Sequence, residues 1–140
     1  MAYLLARRPE RQILDMCLSG TAVALAMVAA GSGDVECLRI FRELRWRVDS
    51  VTRYGTHMAL SLSLGLLFLS GGMATLGRSD EAVAALVAAF FPRWPEKPTD
   101  NYYHLQALRH LYVLAVEFRG IETIDVDTRE SVYVPIEVEV

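Results

Sequence analysis

The sequence predicts an all-α fold, a segment of a helix-pair repeat solenoid or toroid, followed by a short C-terminal β-hairpin. Apolar residues recur at helical spacing in successive stretches up to residue 120. Two of these stretches share a motif, and the apolar period changes from helical to strand-like near Ile124. We therefore divide the chain into helical repeats over residues 1–120 and a hairpin over residues 121–140.

The first two predicted helices form one pair. Pro9-Glu10 opens a helix that the run Gly31-Ser32-Gly33 closes, because glycine readily leaves the helical conformation. Asp34 is then in position to cap a second, amphipathic helix that ends before Ser50. Four basic side chains on this helix predict a solvated face: Arg39, Arg42, Arg45 and Arg47.

Three more helices are predicted downstream. The stretch from Tyr54 to Ser70 is apolar nearly all round, which is typical of a helix covered on most sides, and Gly71-Gly72 ends it. An alanine-rich helix runs from Glu81 to Phe91. A connector with three prolines follows, at positions 92, 95 and 98. Thr99 or Asp100 then caps a fifth helix, which reaches Phe118.

The C-terminal residues predict a hairpin. Apolar and polar residues alternate on both sides of the Asp127-Thr128-Arg129 turn, which is the period of a half-buried strand. Pro135 favours an edge position because proline donates no ladder hydrogen bond. The alternation still runs at Val140, so we expect a truncated hairpin with a further strand beyond it.

An internal repeat is the strongest signal in the sequence. Gly20-Thr21-Ala22-Val23-Ala24-Leu25 and Gly55-Thr56-His57-Met58-Ala59-Leu60 lie at an offset of 55 minus 20, or 35 residues. A helix pair of this length cannot bury its own apolar face, so each pair must stack on a neighbour. Small residues along the first helix of each pair predict close helix packing: Ala22, Ala24, Ala26, Ala59, Ser61, Ser63 and Gly65.

Composition excludes some functions. The net charge is -3, and no stripe of Lys and Arg with interleaved aromatics occurs, so we expect no nucleic-acid partner. Cys17 and Cys37 lie in apolar helical stretches, which predicts buried thiols in a reducing compartment. The N-terminal charges follow an apolar run, the reverse of the order in a signal peptide, so we expect no secretion signal.

No pattern predicts a catalytic, cofactor or metal site. His104 and His110 are six residues apart, on different helix faces, and no zinc-ligand spacing occurs. The carboxylates near residue 127 favour a solvated turn over a cation site. We therefore predict a protein that is not an enzyme and needs no cofactor. A small hydrolase using Ser61 and His57 is a weaker alternative.

A membrane-spanning segment is a second alternative. Residues 54–77 contain no Asp, Glu, Lys or Arg, and about 20 mostly apolar residues can cross a bilayer. The same stretch contains several hydroxyl side chains and His57, and its glycine pair shortens the helix. A buried helix explains these features better, so we predict no membrane association.

Two stretches resemble a known family. Gly55-Thr56-His57-Met58-Ala59-Leu60, with Leu64-Gly65-Leu66-Leu67-Phe68-Leu69 and Gly71-Gly72, is similar to proteasome/cyclosome repeats. The run from Pro98 to Ala115 (PTDNYYHLQALRHLYVLA), with the later Asp125-Val126-Asp127-Thr128, resembles the end of the repeat region in the largest-subunit family of the anaphase-promoting complex, or cyclosome. The resemblance spans about Gly20 to Val140.

The resemblance implies a scaffold in a multisubunit cullin-RING-type ubiquitin ligase. The implied partners are the cullin-like and RING module, the substrate-receptor subunit, the tetratricopeptide subunits and the co-activator, in the nucleus and cytoplasm. A proteasome regulatory-particle scaffold is the alternative within the same fold class. Aromatic and arginine side chains favour interfaces, which predicts possible partner-binding residues: Tyr102, Tyr103, His104, Arg109 and His110.

Overall fold

The computed structural model of the protein describes residues 10–48, 52–100, 107–120 and 123–133. The elements in chain order are α1 (Arg11–Val28), α2 (Val35–Arg45), α3 (Tyr54–Leu67), a 3-10 helix (Leu69–Gly72), β1 (Ala74–Leu76), α4 (Asp80–Ala89), a second 3-10 helix (Arg109–Ala115) and β2 (Val116–Phe118). A mostly helical chain with one small antiparallel sheet confirms the predicted fold class.

The repeat motif corresponds to two neighbouring helices. Helices α1 and α3, which carry the two copies, pack against each other, and α2 packs against α3. Their contact is dense because small side chains lie fully buried in it, including Ala26 and Ala59, and Phe41 of α2 completes this part of the core. The helices that carry the two copies of the motif therefore pack directly on each other. The prediction of close packing fails at Ala24 and Ser61, which are exposed, and at Gly65, which faces open space.

Local chemistry determines where α1, α2 and α4 begin and end. Asp34 caps α2 as predicted, since its Oδ1 accepts the Cys37 N–H at 2.8 Å. This hydrogen bond lowers the pKa of the Asp34 carboxyl. Ser79 caps α4 in the same way, accepting the Ala82 N–H at 3.2 Å. After α1, Gly31 has a φ of 69°, a conformation that suits glycine.

The prediction was wrong about the end of α3 and about residues 116–118. Helix α3 ends at Leu67 and not at Ser70, because residues 70–72 adopt positive φ and turn the chain into β1. The fifth helix becomes a 3-10 helix at Arg109 and ends at Ala115, before β2. Strands β1 and β2 pair antiparallel, with Thr75 opposite Glu117. Tertiary hydrogen bonding between distant segments overrides the local helical pattern here.

The predicted C-terminal turn is present. Ile124 forms an antiparallel bridge with Ser131, and the Asp125 Oδ1 accepts the N–H groups of Asp127 and Thr128, both at 2.8 Å. These bonds lower the pKa of the Asp125 carboxyl. The strand residues 134–140 lie outside the described residues, so the division at residue 121 and the full hairpin stay predictions.

The helix in the stretch that suggested a membrane span is too short to cross a bilayer. Helix α3 has 14 residues, which span about 21 Å, whereas a bilayer core is about 30 Å thick. Among the described helices, α1 alone has the length and apolar composition of a candidate span, and 28% of it is buried. One such helix is weak evidence, because core helices of globular proteins meet the same criteria.

Candidate interaction surfaces

The predicted partner-binding residues are only partly described. Tyr102, Tyr103 and His104 lie outside the described residues. Arg109 is half-buried and His110 is exposed, at the start of the second 3-10 helix. This helix packs against α4, where the rings of Tyr112 and Phe90 stack with centroids 6.1 Å apart. A packing role for the segment is therefore observed, and the binding role of its exposed residues stays a prediction.

Potentially reactive side chains are scattered. Cys17 is exposed, so the prediction that it is buried was wrong, while Cys37 is half-buried, and both are free thiols. Partial burial raises the pKa of the Cys37 thiol, and the nearby Asp34 carboxylate adds to this. Within the described ranges no three His, Cys, Asp or Glu side chains converge to hold a metal ion. Ser61 lines a mainly apolar cavity beside Phe90.

A buried polar contact joins the two repeats. Asp15 of α1 is only 2% exposed, and its Oδ2 accepts a short hydrogen bond of 2.5 Å from the Thr56 hydroxyl of α3. Arg47, which follows α2, lies with its Nη1 3.7 Å from the Asp15 Oδ1. The Ser19 hydroxyl donates to the Asp15 backbone oxygen at 2.8 Å. We call these four residues the Asp15 cluster.

The Asp15 cluster links three segments of the chain. A buried carboxylate is costly unless it is paired and hydrogen-bonded, and here Thr56 of α3 supplies a hydrogen bond and Arg47 an ion pair. Sequence analysis missed this group. Residue spacing could have indicated it, because Asp15 and Ser19 lie one turn apart on the same helix face as the buried Ala22 and Ala26.

The proline connector completes the start of α3. The N–H groups of Gly55 and Tyr54 donate to the carbonyls of Pro95 and Glu96, at 2.8 and 3.2 Å. These bonds satisfy donors that have no partner within the helix. The Arg53 guanidinium also bonds to the Glu96 carboxylate at 2.7 Å. A Cβ on Gly55 would lie 2.4 Å from the Trp94 Cβ, so only glycine permits this approach.

A second long-range contact ties the sheet to the first repeat. The Arg119 guanidinium donates to the carbonyls of Gly31 at 3.0 Å and Ala30 at 3.1 Å, and its backbone N–H donates to the Met73 carbonyl at 2.9 Å. A cation is favourable beside the carbonyls that follow a helix. The Thr75 hydroxyl reaches the same Ala30 oxygen at 3.3 Å. Residues 88 positions apart are therefore held together.

These contacts share one property, which is that their polar groups connect segments of the fold. Asp15, Gly55 and Arg119 each join elements that are far apart in sequence. Packed helices joined by such contacts are typical of helical repeat proteins, which is the class of protein that this fold indicates.

The particular family follows from sequence comparison. Residues 2–117 match the family described as APC1 fifth domain, so the chain belongs to that family. This confirms the resemblance to the largest cyclosome subunit and corresponds to most of the region that we divided off as helical repeats.

The curated relatives agree with this family. The chain is 49% identical over 127 residues to anaphase-promoting complex subunit 1 of Dictyostelium discoideum, covering 91% of this chain and 6% of the relative. It is 49% identical over 133 residues to subunit 1 of Arabidopsis thaliana, covering 94% and 8%. A protein of Emericella nidulans named negative regulator of mitosis is 46% identical over 131 residues, covering 94% and 6%. The chain thus spans less than a tenth of these relatives.

Proposed function

We propose that the chain is a non-catalytic scaffold segment of an anaphase-promoting complex, a cullin-RING-type ubiquitin ligase that acts in mitosis. The observation that carries this proposal is family membership together with stacked repeat helices. In this role the segment holds other subunits in fixed positions, and those subunits supply the chemistry. The proposed place of action is the nucleus and cytoplasm.

The distribution of polar and apolar groups supports an architectural role. The Asp15 carboxylate accepts a hydrogen bond that joins α1 to α3, and the Arg119 guanidinium donates hydrogen bonds that join the sheet to the first repeat. By contrast, large apolar side chains are exposed along the outer surfaces, among them Val28, Leu114 and Phe118. Exposed apolar surface of this kind marks places where protein packs on protein.

The proposed partners are the cullin-like and RING module, the substrate-receptor subunit, the tetratricopeptide subunits and the co-activator. Their proposed contacts include Tyr102, Tyr103, His104, Arg109 and His110. The exposure of His110 supports this assignment, since it lies on the side of its helix away from the core.

Affinity capture tests the proposed function. The full-length subunit that contains this segment is tagged, purified from cell lysate and analysed by quantitative mass spectrometry. We expect cullin-like, RING and tetratricopeptide subunits to co-purify in stoichiometric amounts. Recovery of proteasome regulatory-particle subunits in their place would contradict the proposal and favour the alternative scaffold.

The lack of a catalytic role is tested in the same preparation. Ser61→Ala and His57→Ala in the full-length subunit remove the side chains that the hydrolase alternative requires. We expect ubiquitin-chain formation by the purified complex to stay within about twofold of the unaltered complex, since neither side chain takes part in chemistry in a scaffold. Loss of all activity with an intact subunit composition would contradict a purely architectural role.

A further inference from the structure

The outward face of α2 has an unusual composition. Phe41 of this helix is fully buried, so its side points into the core. On the other side Val35 is 68% exposed, and Trp46, which caps the C-terminus, is 77% exposed. Their separation of 11 positions is about three helical turns, which places them on one line along the helix. We call this line, with Leu38, Arg39, Arg42 and Glu43, the Trp46 face.

The Trp46 face is a shallow groove of about 390 Å³. The solvated side of an amphipathic helix is ordinarily polar throughout, whereas here an indole and a valine lie at its two ends. A tryptophan with most of its surface in water adds nothing to the folded core, but tryptophan is the side chain most favoured as an interface anchor.

Charge indicates what the groove accepts. Arg39 and Arg42 lie between the two apolar ends, while the whole chain carries a net charge of -3, so this face reverses the sign of the protein. Arg39 is held by Glu36 at 3.4 Å in an exposed pair, which an incoming carboxylate can replace at little cost. Glu43 at the rim disfavours an occupant whose acidic residues extend to that side.

We propose that the Trp46 face binds an acidic amphipathic helix of another subunit. The occupant places apolar side chains on Trp46 and Val35, and carboxylates beside Arg39 and Arg42. The groove runs about 16 Å along α2, which matches about three turns of a partner helix. This inference rests on the proposed scaffold role, because it requires a second polypeptide in the same complex.

Site-directed photocrosslinking tests the proposal in the assembled complex. The photoreactive residue p-benzoyl-phenylalanine replaces Val35 in the full-length subunit, and mass spectrometry identifies the cross-linked peptide. A matched control carries the same residue at Val87, a valine of α4 that is similarly exposed. We expect position 35, and not position 87, to cross-link to a segment of another subunit in which acidic residues recur three or four positions apart.

Charge variants give the second readout. Arg39→Glu with Arg42→Glu replaces attraction by repulsion, so we expect the yield of that cross-link to fall by about tenfold or more. The charge-conserving pair Arg39→Lys with Arg42→Lys should reduce it by no more than about twofold, because exposed pairs depend mainly on charge. An equal yield from both pairs of variants would overturn the charge argument.

The remaining outcomes are distinguishable from failure of the proposed function. A cross-link from position 35 to the subunit's own polypeptide, to a second copy of it, or to a segment without acidic residues overturns the inference while the scaffold role stands. The absence of any cross-link in an intact complex does the same. A subunit that co-purifies with no other cyclosome subunit contradicts the proposed function and this inference together.

Discussion

Asp15 lies almost fully buried between α1 and α3, whereas Trp46, after α2, has most of its indole in water. Each position reverses the usual preference, since carboxylates are normally exposed and tryptophans mostly buried. The two residues therefore serve different purposes in one small chain. The buried polar group fixes how the repeats meet, and the exposed apolar group leaves surface for contact with another protein.

The largest loss of stability is expected for a substitution in the buried part of the fold, at Gly31. In Gly31→Ala the new Cβ would lie 1.9 Å from the Ala74 carbonyl oxygen, in a backbone conformation with φ of 69°. Overpacking and the unfavourable conformation together should destabilise the chain by about 4 kcal/mol. Urea unfolding followed by circular dichroism measures this. Gly65→Ala is the control: its Cβ meets open space within α3, so a small increase in stability is expected.

Asp15→Ala comes next in size. It leaves the Thr56 hydroxyl without its buried acceptor and Arg47 without its ion-pair partner, which should cost about 2 kcal/mol because Arg47 still has access to water. Asp15→Asn keeps an acceptor oxygen for Thr56 and should cost about half as much. Equal stability of Asp15→Ala and the unaltered chain in urea unfolding would show that the buried cluster does not hold the repeats together.

Asp34, which caps α2, is expected to have a smaller, pH-dependent effect on the free energy of unfolding. Asp34→Ala removes the acceptor of the Cys37 N–H and should lower the free energy of unfolding at neutral pH by less than Asp15→Ala does. The pKa of Asp34 is lowered in the folded chain, so its charge contributes stability above its unfolded pKa, and this is lost as pH falls through the folded pKa. The difference between the two chains should therefore shrink as the pH falls below about 3.9, the ordinary pKa of an aspartate. Unfolding measured across pH 2 to 7 tests this, and a constant difference would contradict it.

The smallest effect is expected on the exposed side. Trp46→Ala removes a side chain that is 77% exposed, so the free energy of unfolding should change by no more than about 0.5 kcal/mol. Phe41→Ala on the opposite side of the same helix is the contrast and should cost about 3 kcal/mol. A large loss of stability in Trp46→Ala would mean that the indole belongs to the core and not to a partner surface.

Local patterns predicted most of the helices and their pairing. The cap at Asp34, the glycine end of α1 and the neighbouring position of α1 and α3 all followed from residue spacing and the 35-residue motif. The sheet was not predicted. Strands of three residues are too short to show an alternating pattern, and Leu76 pairs with Val116, 40 positions away. Burial of Asp15 also escaped prediction, since its two partners come from other segments.

The candidate surfaces were predicted less well than the fold. Arg109 and His110 are the two proposed contact residues that the described part of the chain contains, and their helix packs on α4. For the residues of the Trp46 face, the sequence predicted only a solvated basic face. Sequence spacing showed its arginines, but the exposure of Val35 and Trp46 depends on which side of α2 meets α3.

The architectural role is tested most directly by the subunit composition of the complex. Full-length subunits carrying Gly31→Ala or Gly65→Ala are purified from cells and their partners quantified by mass spectrometry. If this segment is a scaffold, the Gly31→Ala complex should lose one or more subunits, while the Gly65→Ala complex keeps the full set. A complete set of subunits on a Gly31→Ala subunit whose repeat segment is shown to be unfolded would contradict the scaffold role.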